Sequence, residues 1–297
     1  MLEYLVFRLL SLLAPRIPPR VAYWLCNPIG DAICRLLAGR RRTVRRNLST
    51  ILGPQARDLD RRTREVFREG VKNYYDTFLA PALSDQELER LVSLEGWDNL
   101  RRALERGKGV VLVTAHLGSP SLVAQILGTR KCRLTVVAEP LRPRRLFELM
   151  ARVRATREGI RIVPFGPTVT GELTEALRRN EIVGLVADRD ISKNGVPVRF
   201  FGVDTLLPVG PVMLALRTGA ALVPAFTHRL EGGSLVGRID EPMELERTGS
   251  LREDLRLNTQ KLATVMEEAV RKSPEQWTVF EPIWPEEGSE TRLGATS

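Results

Sequence analysis

From Gly109 onward, short runs rich in β-branched residues alternate with helical stretches: "GVVLVTA" then "PSLVAQILG", "RLTVVA" then "RRLFELMARVRATREG", "RIVPF" then "GELTEALRRN", and finally "EIVGLVA". Each short run is continuously apolar, which suits strands covered on both faces. Helices between such strands force parallel pairing through crossovers. The expectation is an α/β fold with a largely parallel central sheet flanked by helices. "VPVRFFG" and the helix "VGPVMLALRTG" follow, the latter stopped by Gly219. "ALVPAFTHRLEGGSLVGRIDEP" predicts two strands meeting at Gly232-Gly233, and a long helix should run from about Ser250 to Lys272.

Before Gly96 the pattern is helical, with breaks expected near Pro28, Pro54 and Pro81. The chain therefore reads as a single domain over 1–285, with a helical, membrane-facing part (1–95), an α/β catalytic part (96–285) and a flexible tail (286–297). The apolar stretch Leu2–Ala14 is too short for a membrane span, which takes about 20 apolar residues. No small-residue cleavage site follows it. Wound as an amphipathic helix, it puts Glu3, Arg8 and Ser11 on one side. It suits a membrane interface or a berth on the protein's own core.

The net charge of +9 is concentrated in an arginine-rich stretch from Arg41 to Lys72. Such an arginine excess can face anionic lipid, nucleic acid or merely water. Without aromatic interleaving or a recognisable binding motif, nucleic acid is disfavoured and an anionic membrane surface is expected. Three cysteines, Cys26, Cys34 and Cys132, form no CxxC pair and read as reduced thiols of a cytosolic compartment.

In parallel sheets, ligands bind beyond the carboxyl ends of the strands. Three runs end there in polar groups: His116 after "VVLVTA", Glu139 after "LTVVA" and Asp188 after "IVGLVA". An imidazole beside a carboxylate suits general-base work, because the carboxylate fixes the tautomer and stabilises the imidazolium. Ser119 and Ser121 lie close by, but "HLGSPS" is not the G-x-S-x-G of a serine hydrolase, which remains the weaker alternative. No second histidine or cysteine stands at ligand spacing, and no P-loop or G-x-G-x-x-G follows a strand. Neither a metal nor a nucleotide cofactor is expected. Arg189 and the helix start near Val209 are candidate anion contacts, each with a structural alternative. For Arg189 that alternative is a pair with Asp190 or another acid. Strand alternation in "VRFFG" sends one of Phe200 and Phe201 to each face. A backbone N–H near Gly118 is a candidate oxyanion donor.

"TAHLGS", "VVAEPLRP", "GLVADRDISKNGVPVRFFG" and "LPVGPVMLALRTGAALVPAF" resemble the bacterial lipid A lauroyl/myristoyl acyltransferase family. Within it the likeness is greatest to the phosphatidylinositol mannoside acyltransferases, and it runs from the N-terminal helix to "WTVFEPIW". The resemblance implies transfer of a fatty acyl group from a thioester, acyl-CoA or acyl carrier protein, to a glycolipid or phospholipid hydroxyl. It implies a peripheral or monotopic enzyme on the cytoplasmic face of the plasma (inner) membrane. The family uses a histidine within H-x4-D/E; His116 matches it, whereas Ser121 stands at the acidic position. By the same resemblance Asp188 is the acid that pairs with the histidine, and Glu139 and Arg154 fall at substrate-site positions. A degenerate relative that binds lipid with little turnover is the alternative raised by Ser121.

Overall fold

The computed structural model describes residues 2–285. Its N-terminal part comprises α1 (Leu2–Leu13), α2 (Pro19–Leu36), α3 (Ala38–Leu52), α4 (Leu59–Leu79) and α5 (Asp85–Leu91). There follow β1 (Val92–Glu95), α6 (Trp97–Glu105), β2 (Val110–Thr114), α7 (Pro120–Val123), α8 (Gln125–Thr129), β3 (Leu134–Ala138), α9 (Arg144–Arg154), β4 (Ile160–Pro164), α10 (Val169–Arg178) and β5 (Ile182–Val186). The remainder is β6 (Val196–Phe200), β7 (Val203–Leu207), α11 (Gly210–Thr218), β8 (Ala221–Arg229), β9 (Leu235–Ile239) and α12 (Leu251–Lys272). The C-terminal tail expected at 286–297 lies outside the described residues.

Seven strands form one sheet in the order β1-β9-β8-β2-β5-β3-β4, and every pairing is parallel except β8 with β9. Along the central strands, alternate residues enter two different cores. Val111, Val113, Val183 and Leu222 pack with α10, α11 and α12 on one face. Val110, Ile182, Ala221 and Val223 pack with Leu100 and Ala103 of α6 on the other. That double coverage is why the runs are continuously apolar.

Three expectations are corrected. Pro28 does not break a helix: it lies inside α2, and the chain turns at Leu37 instead. β1 lies within the stretch read as purely helical and pairs with β9. "VPVRFFG" contributes β6 to an antiparallel hairpin with β7 apart from the main sheet, and there the expected placing of Phe200 and Phe201 on opposite faces does not hold. Phe201 takes a positive φ of 51° at the hairpin turn, which ends the strand alternation. Phe200 and Phe201 are consequently both buried, in one core with Trp277 and Trp284.

The N-terminal helices are fixed to the sheet by a buried ionic cluster. Arg229, at the carboxyl end of β8, donates to Glu69 (2.9 Å), Asp76 (2.6 Å) and Asn73 (3.2 Å). These three residues share one face of α4. The Tyr23 hydroxyl of α2 accepts from Arg229 and donates to Asp76. Burial alone would disfavour the charged guanidinium. The carboxylate of Asp76, with the other groups around it, reverses that and raises the Arg229 pKa above its ordinary value.

Candidate active site

β2 and β5 pair in parallel from Val110 opposite Ile182 to Thr114 opposite Val186. The ladder continues as Ala187 N–H donates to the Thr114 carbonyl at 2.9 Å. One further step in the same register puts His116 beside Asp188. The backbone N–H of His116 donates to Asp188 Oδ2 at 2.8 Å, and His116 Nδ1 lies 2.8 Å from Oδ1. An ionised carboxylate only accepts, so the shared proton belongs to Nδ1 and the lone pair to Nε2. The imidazole side chain is 33% exposed while that of Asp188 is 0% exposed. The buried acid thus holds one nitrogen and the ring is partly open to solvent.

A fully buried carboxylate is costly unless its oxygens are satisfied. Burial by itself would raise the Asp188 pKa. The charge and hydrogen bonds of His116, with the Trp277 indole, instead hold it below the ordinary carboxylate value. Trp277 Nε1–H donates to Oδ2 at 2.7 Å. The backbone around Trp277 lies antiparallel to the histidine loop. Thr278 N–H donates to the His116 carbonyl at 2.8 Å, and Gly118 N–H donates to the Gln276 carbonyl at 3.1 Å.

That last bond engages the Gly118 amide itself, so of the amides in this turn Gly118's is not free for an oxyanion. The glycine serves the turn instead: it has a positive φ of 60°, and a Cβ there would stand 2.5 Å from the Thr227 carbonyl oxygen. Ser119 Oγ is buried and, among the described residues, has no hydrogen-bond partner that could serve it as a base. Ser121 lies on α7, where its carbonyl accepts from the buried Gln125 side chain (3.2 Å). The same amide nitrogen donates to the Arg154 carbonyl at 2.8 Å, tying the end of α9 to α7.

Arg154 is partly buried and its Nε lacks a hydrogen-bond partner. Burial lowers the pKa of its guanidinium, with Tyr74 opposing, and among the described residues no carboxylate pairs with it. Arg189 does not pair with Asp190. It lies 3.5 Å from Glu139 and 3.5 Å from Glu281, and Glu281 also binds Arg40 at 2.8 Å. Two residues picked from sequence, Glu139 and Arg189, are therefore partners of each other. Sequence reasoning missed Trp277, Thr278 and Glu281. Trp277 stands 89 residues from Asp188, and nothing local marks it as a partner.

The N-terminal helices leave a large apolar surface. α1 rests on the protein through Phe7, which meets Tyr74 and Phe78 edge-on at 5.5 and 5.9 Å. Its leucines at 5, 9, 10, 12 and 13 point to solvent, as do Trp24 and Leu36 on α2, Leu36 being 80% exposed. Arg41 and Arg42 are exposed nearby in sequence, while Arg45 pairs with Asp60. Among the described residues no helix is long and apolar enough to cross a membrane.

Residues 1–286 match the family described as bacterial lipid A biosynthesis acyltransferase. The chain is similar to a phosphatidylinositol mannoside acyltransferase of Mycobacterium tuberculosis, 33% identical over 84% of this chain and 78% of that protein. A protein of the same name from Mycolicibacterium smegmatis is 30% identical, over 84% and 81%. The lipid A biosynthesis palmitoleoyltransferase of Escherichia coli is 26% identical, over 70% and 68%. With a match along nearly its whole length, the chain belongs to the bacterial lipid A biosynthesis acyltransferase family.

Proposed function

We propose that this protein transfers a fatty acyl group from a thioester, acyl-CoA or acyl carrier protein, to a hydroxyl of a glycolipid or phospholipid, with His116 as general base. The observation that carries this reading is the His116–Asp188 pair at the sheet edge, with Nδ1 held and Nε2 left as the basic nitrogen. Names of relatives that act on phosphatidylinositol mannoside and lipid A support a glycolipid acceptor.

In this mechanism Nε2 takes the proton of the acceptor hydroxyl as its oxygen attacks the thioester carbonyl. The new ester C–O bond forms, the C–S bond breaks, and the thiolate leaves with the proton from the imidazolium. Asp188 stays ionised throughout, stabilising the charged ring without taking its proton. The loss of an acid at Ser121 leaves the base intact, because the partner, Asp188, comes from the segment just after β5. Arg154, without a carboxylate partner among the described residues, is the cation for an anionic group of acceptor or donor. Arg189, braced by Glu139 and Glu281, is a secondary contact. The exposed leucines of α1, Trp24 of α2 and the basic start of α3 seat the enzyme on the anionic cytoplasmic face of the inner membrane.

The test is acyl transfer from labelled acyl-CoA and acyl carrier protein thioesters to phosphatidylinositol mannoside in vesicles. The comparison is wild type against His116→Ala and Ser121→Asp. His116→Ala should lose about 10²–10⁴-fold of the rate, and Ser121→Asp should retain activity. Wild-type transfer equal to that of His116→Ala would contradict the base role.

A further inference from the structure

The structure assigns Trp277 as a positioning residue: its indole N–H, delivered by a C-terminal strap laid on the histidine loop, fixes the Asp188 carboxylate and through it the outward nitrogen of His116. This rests on the base role proposed above.

Asp188 has three hydrogen bonds and three different tasks for them. Oδ1 faces the imidazole, and Oδ2 takes both the His116 backbone N–H and the indole N–H. Without the indole, Oδ2 keeps one donor, and that donor belongs to the residue being positioned. The carboxylate would then be free to turn about its Cβ–Cγ bond and spoil the alignment of Nδ1–H with Oδ1. Among the described residues, only the Trp277 bond ties the carboxylate to a part of the fold outside the pair.

That outside anchor is rigid. Trp277 is 2% exposed. Its ring is met at steep angles by Phe200 (centroids 6.4 Å, 73°) and Trp284 (6.1 Å, 62°), so its rotamer is set by packing. Its neighbours are clasped as well. The Gln276 side chain accepts from Arg229 N–H at 2.7 Å and donates to the Arg229 carbonyl at 2.8 Å. Gln276 and Thr278 also hold the backbone of Gly118 and His116. The strap therefore registers β8, the histidine loop and the acid against each other. A tryptophan serving only as core filling would need none of the indole N–H geometry, and a ring of equal shape would replace it without loss.

The test uses the full chain with the Trp277 indole replaced by benzothiophene, which keeps the ring's shape and lacks the N–H, beside Trp277→Phe. Acyl-transfer kinetics, thermal unfolding and NMR of ¹⁵N-histidine-labelled protein are recorded on each. With only two histidines in the chain, the His116 ring signals are separable from those of His228. The benzothiophene variant should stay folded at the assay temperature, unfolding a few degrees below wild type for want of the one buried hydrogen bond, keep its KM and lose about tenfold in kcat. Its His116 Nδ1–H signal should broaden or shift as the tautomer ceases to be fixed. If Trp277→Phe fails to fold, the isostere still decides. An isostere with wild-type kcat and an unchanged Nδ1–H signal would overturn the assignment. The NMR readout does not depend on turnover: a perturbed signal in a protein whose activity ignores His116 would support positioning while refuting the base role.

Discussion

At the scale of single residues, the site turns on how a fully buried acid is kept charged. Each hydrogen bond to a charged group contributes about 1.5–3 kcal/mol, and Asp188 has three. Its pKa is held below the ordinary value of 3.8, burial opposing and His116 prevailing. The sign follows directly. A carboxylate whose folded-state pKa is depressed adds stability above its unfolded value, and that stability is lost as pH falls through the folded value. Asp188→Asn should therefore be less stable than wild type at neutral pH, and the two should converge as pH drops below 3.8. Denaturant unfolding across that range checks this, and a constant gap would contradict it. His116, Asp188 and Glu139 were legible in the sequence because each ends an apolar run, and in a parallel sheet such ends share an edge. The Gly118 amide was not, because its acceptor, the Gln276 carbonyl, is contributed by a distant segment.

At the scale of elements, the parallel strands and their helices could be read because double burial imprints itself as continuous apolar runs. The β6–β7 hairpin was hidden for the opposite reason. Its strands carry mixed burial, and the residue that ends the pattern, Phe201, takes a backbone conformation rare for a bulky side chain. Pro28 misled because a proline inside a helix costs local hydrogen bonding that tertiary packing can offset. α2 has that packing, with Ala22, Cys26, Gly30 and Cys34 all buried. The junction of α4 with β8 makes the sharpest stability prediction. Removing one side of a buried ion cluster leaves the other uncompensated and costs about 3–5 kcal/mol. Arg229→Ala should be destabilised by that amount in chemical denaturation, with Asp76 left without its cation and Glu69 left with Lys72 alone. The double replacement Arg229→Met with Asp76→Leu should recover part of it. A loss under 1 kcal/mol would argue against the cluster as the tie between the helices and the sheet.

At the scale of the whole molecule, the chain joins an α/β half that carries the His116–Asp188 pair to a helical half with an apolar outer surface. The sequence left two readings of the first helix, an interface or a berth on the protein. The structure docks the helix on the protein through Phe7 and leaves its leucines exposed. The share of α2 in that surface, through Trp24 and Leu36, was not legible: a helix read alone does not reveal which of its apolar residues the rest of the fold covers. Deleting Leu2–Ala14, or replacing Trp24 with Glu, should reduce co-sedimentation with anionic vesicles, and equal binding by wild type and both variants would refute the surface's role. The central claim, that an imidazole steadied by Asp188 draws the proton from the acceptor, is tested most directly by a double-mutant cycle in single-turnover acyl transfer. Residues acting as one unit are strongly non-additive. Asp188→Asn should lose much of what His116→Ala loses, and the double variant should be no slower than His116→Ala alone. Multiplying losses, or an Asp188→Asn enzyme as fast as wild type, would contradict the account.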